Sequence, residues 1–324
     1  MSAYPWGPGS ATGIGSHPGT SFADALGLAF ELPLPYLPEL PARGPGADML
    51  GRTAGLLVDL PVELYAARWQ LTARPGKDAR RTADFAERDL DTLTTTADGY
   101  EGPLKLQAAG PFTLASGLQL PIGGAVLRDR GAVRDLTDSL AEGLRRHVAD
   151  VQARVPGAKP VIQLDEPSLP FVLAGRIPTE SGFGFLRSVS APDARDLLAR
   201  LIEAVEVPVV VHSCAPDVPI SLLHSAGAAA IAIDLALLDQ LDPLGEALDA
   251  GLGLLAGVAP ATSKGMAGQV SELWGKLGFP LKALADQVVV TPACGLAGST
   301  PAEAARILRA CKDAAARLTD VAHS

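Results

Sequence analysis

The sequence predicts a single-domain (β/α)8 TIM barrel spanning residues 1–324. Three observations predict it. Short β-rich runs alternate with longer helical patterns along the chain. Several runs, such as VPVVV and AAAIAI, are apolar throughout rather than alternating, as strands covered on both faces require. There are about eight such runs, the number that closes a parallel barrel.

In order, the predicted strands are residues 11–15, 55–60, 104–109, 160–164, 208–211, 228–233, 252–257 and 288–291. The segment from Leu32 to Gly46 (LPLPYLPELPARGPG) is too rich in proline for regular helix or strand. It reads as an ordered excursion over the barrel mouth or, equally, as a mobile lid. Between the third and fourth runs, Leu136, Leu140, Leu144 and Val148 form one apolar stripe of a helix over residues 134–155. The last helix opens with Thr300 as N-cap, Pro301 at the first helical position and Glu303 completing a capping box. A doubly wound open sheet is the structural alternative. The glycines of GIGSHPG and GLGLLAG do not form its dinucleotide-binding fingerprint.

Composition narrows the function classes. Hydrophobic residues make up 48% of the 324 positions, ample for a large core, and aromatics only 5%, so that core is aliphatic. The formal net charge is -9 with no basic cluster, which argues against nucleic acid or an anionic membrane surface as partner. Residues 1–19 show neither a charged leader region nor an apolar one, and the longest apolar stretch, 226–238, is interrupted by Asp234. The 3 cysteines, Cys214, Cys294 and Cys311, do not suggest a disulfide framework. A cytoplasmic protein is expected.

The polar residues cluster where strands end. Ser16 follows the first run, Glu63 the second, and Gly110 with Pro111 the third. Asp165 and Glu166 follow the fourth, His212 and Cys214 the fifth, Asp234 the sixth, and Cys294 the eighth. In an α/β barrel all these ends open on one face, where the site is built. In extended backbone residues i and i+2 point the same way, so His212 and Cys214 can both face the barrel axis. Imidazole and thiolates with a carboxylate such as Asp234 suit zinc better than magnesium or calcium. Two other readings stand beside this one. A Cys–His nucleophile pair is conceivable, although side chains on one strand face run parallel. Asp165 and Glu166 can hold a cationic group or simply cap a loop or helix. Cys311 reads as packing on the last helix, and His17 and His224 as ordinary surface or loop histidines.

These pieces resemble the catalytic barrel of the cobalamin-independent methionine synthases. The resemblance rests on Ile14-Gly15-Ser16, Val62-Glu63, Gly110-Pro111-Phe112-Thr113, Gln163-Leu164-Asp165-Glu166-Pro167, His212-Ser213-Cys214, Ile231-Ala232-Ile233-Asp234 and Pro292-Ala293-Cys294-Gly295-Leu296, in that order. The family's large N-terminal domain is absent from this sequence, which looks like a short, core-type member. The resemblance implies zinc held by His212, Cys214 and Cys294, with Asp234 where the family usually has a glutamate. It implies that Ser16 contacts the carboxylate of homocysteine, that Asp165 and Glu63 hold its ammonium as catalytic and binding residues, and that Glu166 belongs to the same substrate site. The expected reaction is methyl transfer to the homocysteine thiol, giving methionine.

Zinc turns a thiol of pKa about 8.5 into a thiolate at neutral pH. The positions of the family's folate-binding tryptophan and catalytic histidine hold Gly117 and Val258–Ala259. The donor is thus either methyltetrahydrofolate or a methylated corrinoid on a partner protein, whose leaving group needs no proton. Three further readings compete: a corrinoid-dependent methyltransferase for another thiol, a metal-free barrel resembling the porphyrin decarboxylases, and a zinc-binding barrel that has lost catalysis.

Overall fold

The computed structural model describes residues 4–260 and 262–323. Met1–Ala3, the head of the stretch in which a leader was sought, lie outside the described residues. The fold is α/β, with a parallel six-stranded half-barrel sheet preceded by an antiparallel hairpin. The hairpin pairs β1 (Val62–Tyr65) with β2 (Arg68–Leu71). The sheet runs β3 (Gly102–Ala109), β4 (Ala158–Asp165), β5 (Val209–Ser213), β6 (Ala230–Asp234), β7 (Gly253–Val258) and β8 (Val288–Pro292), each paired with the next. Helices Arg130–Arg154, Ala191–Val205, Ile220–Ser225, Asp242–Asp249 and Ser263–Leu277 lie in the crossovers, and Pro301–His323 closes the chain. This is why the strands are parallel and apolar on both faces. Among the described residues no helix is long and apolar enough to cross a membrane.

The two sheet edges are bridged by extended backbone. Ala11 bridges Val290 of β8, Tyr36 bridges Lys105 of β3, and Ser16 bridges Glu39. Residues 34–39 belong to the Pro-rich segment, so neither the excursion nor the lid expected there is found. Proline removes only an N–H. The donors come from the residues between the prolines: Leu34 N–H donates to Ala11 O (3.2 Å), Leu37 N–H to Lys105 O (3.0 Å) and Glu39 N–H to Gly15 O (3.0 Å). Pro35 still accepts from Lys105 N–H at 2.9 Å. The strand expected at 55–60 is also corrected. Helix Met49–Ala54 ends at Gly55 and the chain turns through these residues into the hairpin. A short apolar run such as LLVDL has no period long enough to distinguish a strand from a helix end.

Alternate residues of each strand face inward and grade from apolar to polar toward the strand's C-terminal end. Trp6, Leu34, Val161, Val210, Ala230, Ala232, Leu255 and Val289 form one interior cluster. Two or four residues further along, the same faces carry Gln163 and Asp165, His212, and Thr291, and β3 adds Lys105, level with Val161, and Gln107, all buried. The apolar end is closed by Trp6, whose ring occupies the space that a Cβ on Gly253 would need, 2.6 Å away. The larger apolar layer lies between sheet and helices and takes in Leu136, Leu140, Leu144 and Val148 as expected, together with Cys311. The capping box of the last helix forms: Glu303 N–H donates to Thr300 Oγ1 (3.3 Å) and Thr300 N–H to Glu303 Oε2 (3.1 Å).

Candidate metal centre

The end of β5 and the loop after β8 bring the two expected cysteines together. Cys214 and Cys294 place their Sγ atoms 3.1 Å apart, and both are free thiols. Ala293 N–H donates to Val258 O (3.1 Å), pinning the Cys294 loop across the end of β7. Two thiols this close cannot both ionise readily. The hydrogen bond shared with Cys214 lowers the pKa of the Cys294 thiol to about 6 against the opposing effect of burial, with help from the Gly295 amide and the nearby His212. The same pairing, with burial, pushes Cys214 above the ordinary thiol range. One proton leaves early and the other is held.

His212 lies on the same strand, opposite Asp165 of β4 in register. Its Nδ1 is 2.7 Å from Asp165 Oδ1. Its Nε2 is buried with no hydrogen-bond partner. A buried imidazole nitrogen held bare in this way is costly unless something occupies it. Asp165 is supported from behind: Gln163 Nε2 donates to Oδ1 at 2.7 Å and to Ile14 O at 2.8 Å.

The other expected site residues fall into two groups. Ser16 lies at the centre: Leu296 N–H donates to its carbonyl (2.9 Å), and a Cβ on Gly295 would come within 2.1 Å of its Oγ. Asp234 ends β6 beside β5, but its Oδ1 accepts from Ala236 N–H (2.9 Å). It lines a cavity of about 290 Å³ with Ala215, Asp217 and Leu237. Glu166 and Glu63, by contrast, are taken up by helix starts. Glu166 is fully buried and accepts from Phe112 N–H (2.8 Å), Thr113 N–H (2.9 Å) and Thr113 Oγ1–H (2.8 Å), at the start of helix Pro111–Gly117. Burial raises its pKa to about 7 despite these donors. Glu63 accepts from Gly76 N–H (2.6 Å), Asp78 N–H (3.1 Å) and Ala79 N–H (3.2 Å), capping helix Lys77–Thr96. Burial pushes Glu63 up, but these amides outweigh it and hold the carboxyl below its usual range. Of the two readings of Asp165–Glu166, the cap therefore describes Glu166, while Asp165 orients an imidazole.

Among the described residues no group of three His, Cys, Asp or Glu side chains is drawn tightly enough around one point to hold an ion as the side chains stand. His17 is a correction. Expected on the surface or in a loop, it does lie in irregular backbone, but it is 3% exposed with Nε2 unpartnered, and burial lowers its pKa. Lys105 and Gln163 were missed as part of the centre. The available signal was parity, since both are polar residues at inward positions of otherwise apolar strands.

The family model for the catalytic domain of cobalamin-independent synthase matches residues 113–317. The chain belongs to this family. Among solved structures, a B12-independent methionine synthase from Shewanella sp. W3-18-1 in complex with selenomethionine is 14% identical, with a TM-score of 0.60 over 98% of both chains. A methyltransferase from Methanosarcina mazei is 15% identical, with a TM-score of 0.53 over 96% of this chain and 93% of the other. At these identities the likeness speaks to the fold alone. No curated protein matches the chain. The family match spans Glu166, His212, Cys214, Asp234 and Cys294 and begins beyond Ser16 and Glu63, so the resemblance read at those two positions rests on sequence motifs.

Proposed function

We propose that this cobalamin-independent synthase family member is a single-domain, cytoplasmic (β/α)8 barrel that transfers a methyl group to the thiol of homocysteine with the help of zinc. Residues 11–16 and 34–39 serve as its first two strands. The observation that carries the zinc reading is the bare, buried Nε2 of His212 on the same strand end as the Cys214–Cys294 thiol pair. Two soft sulfurs, one easily ionised, and a nitrogen whose other ring atom is fixed by a carboxylate are a donor set suited to zinc.

His212, Cys214 and Cys294 would hold the ion, with Asp234 as a carboxylate that must leave Ala236 to join them. Bound zinc would supply acidification of the substrate thiol. The chain's own residues do the rest. Ser16 Oγ, beside Gly295, takes the amino-acid carboxylate. Asp165 uses Oδ1 for His212 and Gln163, and its Oδ2 is the atom proposed to hold the ammonium. Glu63 and Glu166 would join the substrate site only by giving up helix amides. The homocysteine sulfur loses its proton and attacks the methyl carbon, and the electron pair of the broken methyl bond leaves with the donor. Gly117 and Val258–Ala259 stand where the family carries its folate-contacting tryptophan and histidine, which favours a corrinoid donor over methyltetrahydrofolate.

Metal analysis of the purified protein tests this reading together with methionine formation from homocysteine, using methyltetrahydrofolate and methylcobalamin as donors. Stoichiometric zinc with turnover is expected. Protein that takes up no zinc under reducing conditions overturns the mechanism. Zinc uptake with no turnover from either donor leaves a zinc-binding barrel without this chemistry, and turnover of a thiol lacking the ammonium reassigns the substrate.

A further inference from the structure

The mechanism above has no use for Lys105, yet its ammonium is fully buried inside the sheet. Burying an ammonium is costly unless its environment repays it. Lys105 Nζ donates to Ile14 O at 2.9 Å and to Gln163 Oε1 at 2.7 Å, and sits 5.2 Å from the centre of the Tyr36 ring. Burial lowers its pKa to about 7, opposed by the nearby Asp165 and Glu39 carboxylates.

We infer that Lys105 is a positioning residue that sets the polarity of a buried relay, Lys105–Gln163–Asp165–His212, so that the imidazole presents Nε2 as a bare lone pair. The purpose of the relay rests on the zinc reading of the site; its geometry does not. An ammonium has three donors and no acceptor. Facing it, the Gln163 amide must turn its oxygen toward Nζ. The amide NH2 then points the other way, with one hydrogen to Ile14 O (2.8 Å) and one to Asp165 Oδ1 (2.7 Å). Asp165 Oδ1 is thereby held as an acceptor facing His212 Nδ1 at 2.7 Å, so the ring proton belongs on Nδ1. Nε2 is left without a proton and without a partner, the form in which imidazole binds a metal. The ammonium fixes which way the Gln163 amide faces, the amide NH2 holds Asp165 Oδ1 in place, and the carboxylate, an acceptor in any case, meets the ring at Nδ1. Without it, Gln163 Oε1 lies buried with no donor, and the amide no longer has a reason to hold Asp165 in place.

The test uses 15N-histidine-labelled, metal-free protein, with the His212 resonance assigned by its loss in His212→Gln. Lys105→Met keeps length and volume while removing the donors. Gln163→Met cuts the same relay in its middle and serves if Lys105→Met does not fold. Wild type should show the Nδ1–H tautomer. Either variant should show mixed or Nε2–H tautomers, with zinc affinity by chelator competition weakened about 10- to 100-fold. The double variant should bind no more weakly than the singles, since one chain cut twice is still one cut. A wild-type Nε2–H tautomer overturns the inference, and so does a Lys105→Met protein with wild-type tautomer and affinity. If the tautomer shifts as expected but even wild type binds no zinc, the relay stands and the zinc reading falls.

Discussion

Two regions at the C-terminal ends of the strands carry the same kinds of residues and use them differently. Glu63, in the β1–β2 hairpin, and Glu166, just after β4, lie at helix starts, and backbone amides occupy their carboxylates. Around β4, β5 and β8, His212 Nε2 has no hydrogen-bond partner and the two thiols face each other. A polar side chain at a strand end becomes available for chemistry when the fold leaves part of its bonding capacity open. Where a helix N-terminus is within reach, four unpaired N–H groups compete for any nearby carboxylate and win.

Substitutions on the two sides should therefore separate function from stability. The largest effect is expected for Cys294→Ser. Zinc measured by metal analysis should fall from stoichiometric to background and methionine formation should stop, with little change in the unfolding midpoint of the metal-free protein. Retained zinc would move the metal elsewhere. Next comes Glu166→Ala, which strips the acceptor from three buried donors and should cost roughly 3 kcal/mol in urea unfolding. Glu63→Ala removes a helix cap and should cost about 1 kcal/mol. Both proteins should still take up zinc. If Glu63→Ala instead lost turnover at unchanged stability, the hairpin side would be part of the site and the contrast would fail.

Smaller effects sharpen the comparison. Gly295→Ala puts a methyl group where Ser16 Oγ now sits, 2.1 Å from the new Cβ, and should rotate that hydroxyl away. The KM for homocysteine should rise roughly fivefold, a loss of about 1 kcal/mol, with kcat little changed. The smallest effect belongs to a region remote from the thiol pair. His147, in helix Arg130–Arg154, is lowered from 6.5 to about 4, first by burial and then by Arg52. Between these values the unfolded chain binds more protons than the native one. Stability should be full above pH 6.5 and decline as pH falls toward 4, and His147→Gln should flatten that slope in urea titrations.

Much of this was legible in the sequence. β3 through β8 are found within a residue or two of the expected runs, because continuous apolar stretches bounded by helices have few other uses in an α/β chain. Cys214 and Cys294 come together at the strand ends where the sequence places them, with His212 on the same strand end but not drawn into one group with them as the side chains stand. The segments that bridge the sheet edges were harder. Residues 34–39 include the two prolines Pro35 and Pro38, and the apolar run at 55–60 offered a more conventional strand. Local pattern favours the run, whereas the sheet edge needs only a few donors between the prolines and the right length to reach both neighbours. His17 and Lys105 were equally obscure, since one polar residue among apolar ones looks the same whether it faces solvent, helix or barrel axis.

What the sequence determined by itself was the alternation of strands and helices, the aliphatic core, and the short-range relations: which residues share a strand face, and which cap the last helix. These depend on the 2.0 and 3.6 periods of the backbone, which a sequence carries explicitly. What only the tertiary structure decided was the allocation of hydrogen bonds between distant segments. Asp165 and Glu166 are neighbours in sequence, yet one orients His212 on β5 and the other caps helix Pro111–Gly117. Successive residues at a strand end point in opposite directions, and which partner each one meets is set by the elements that the curved sheet brings alongside.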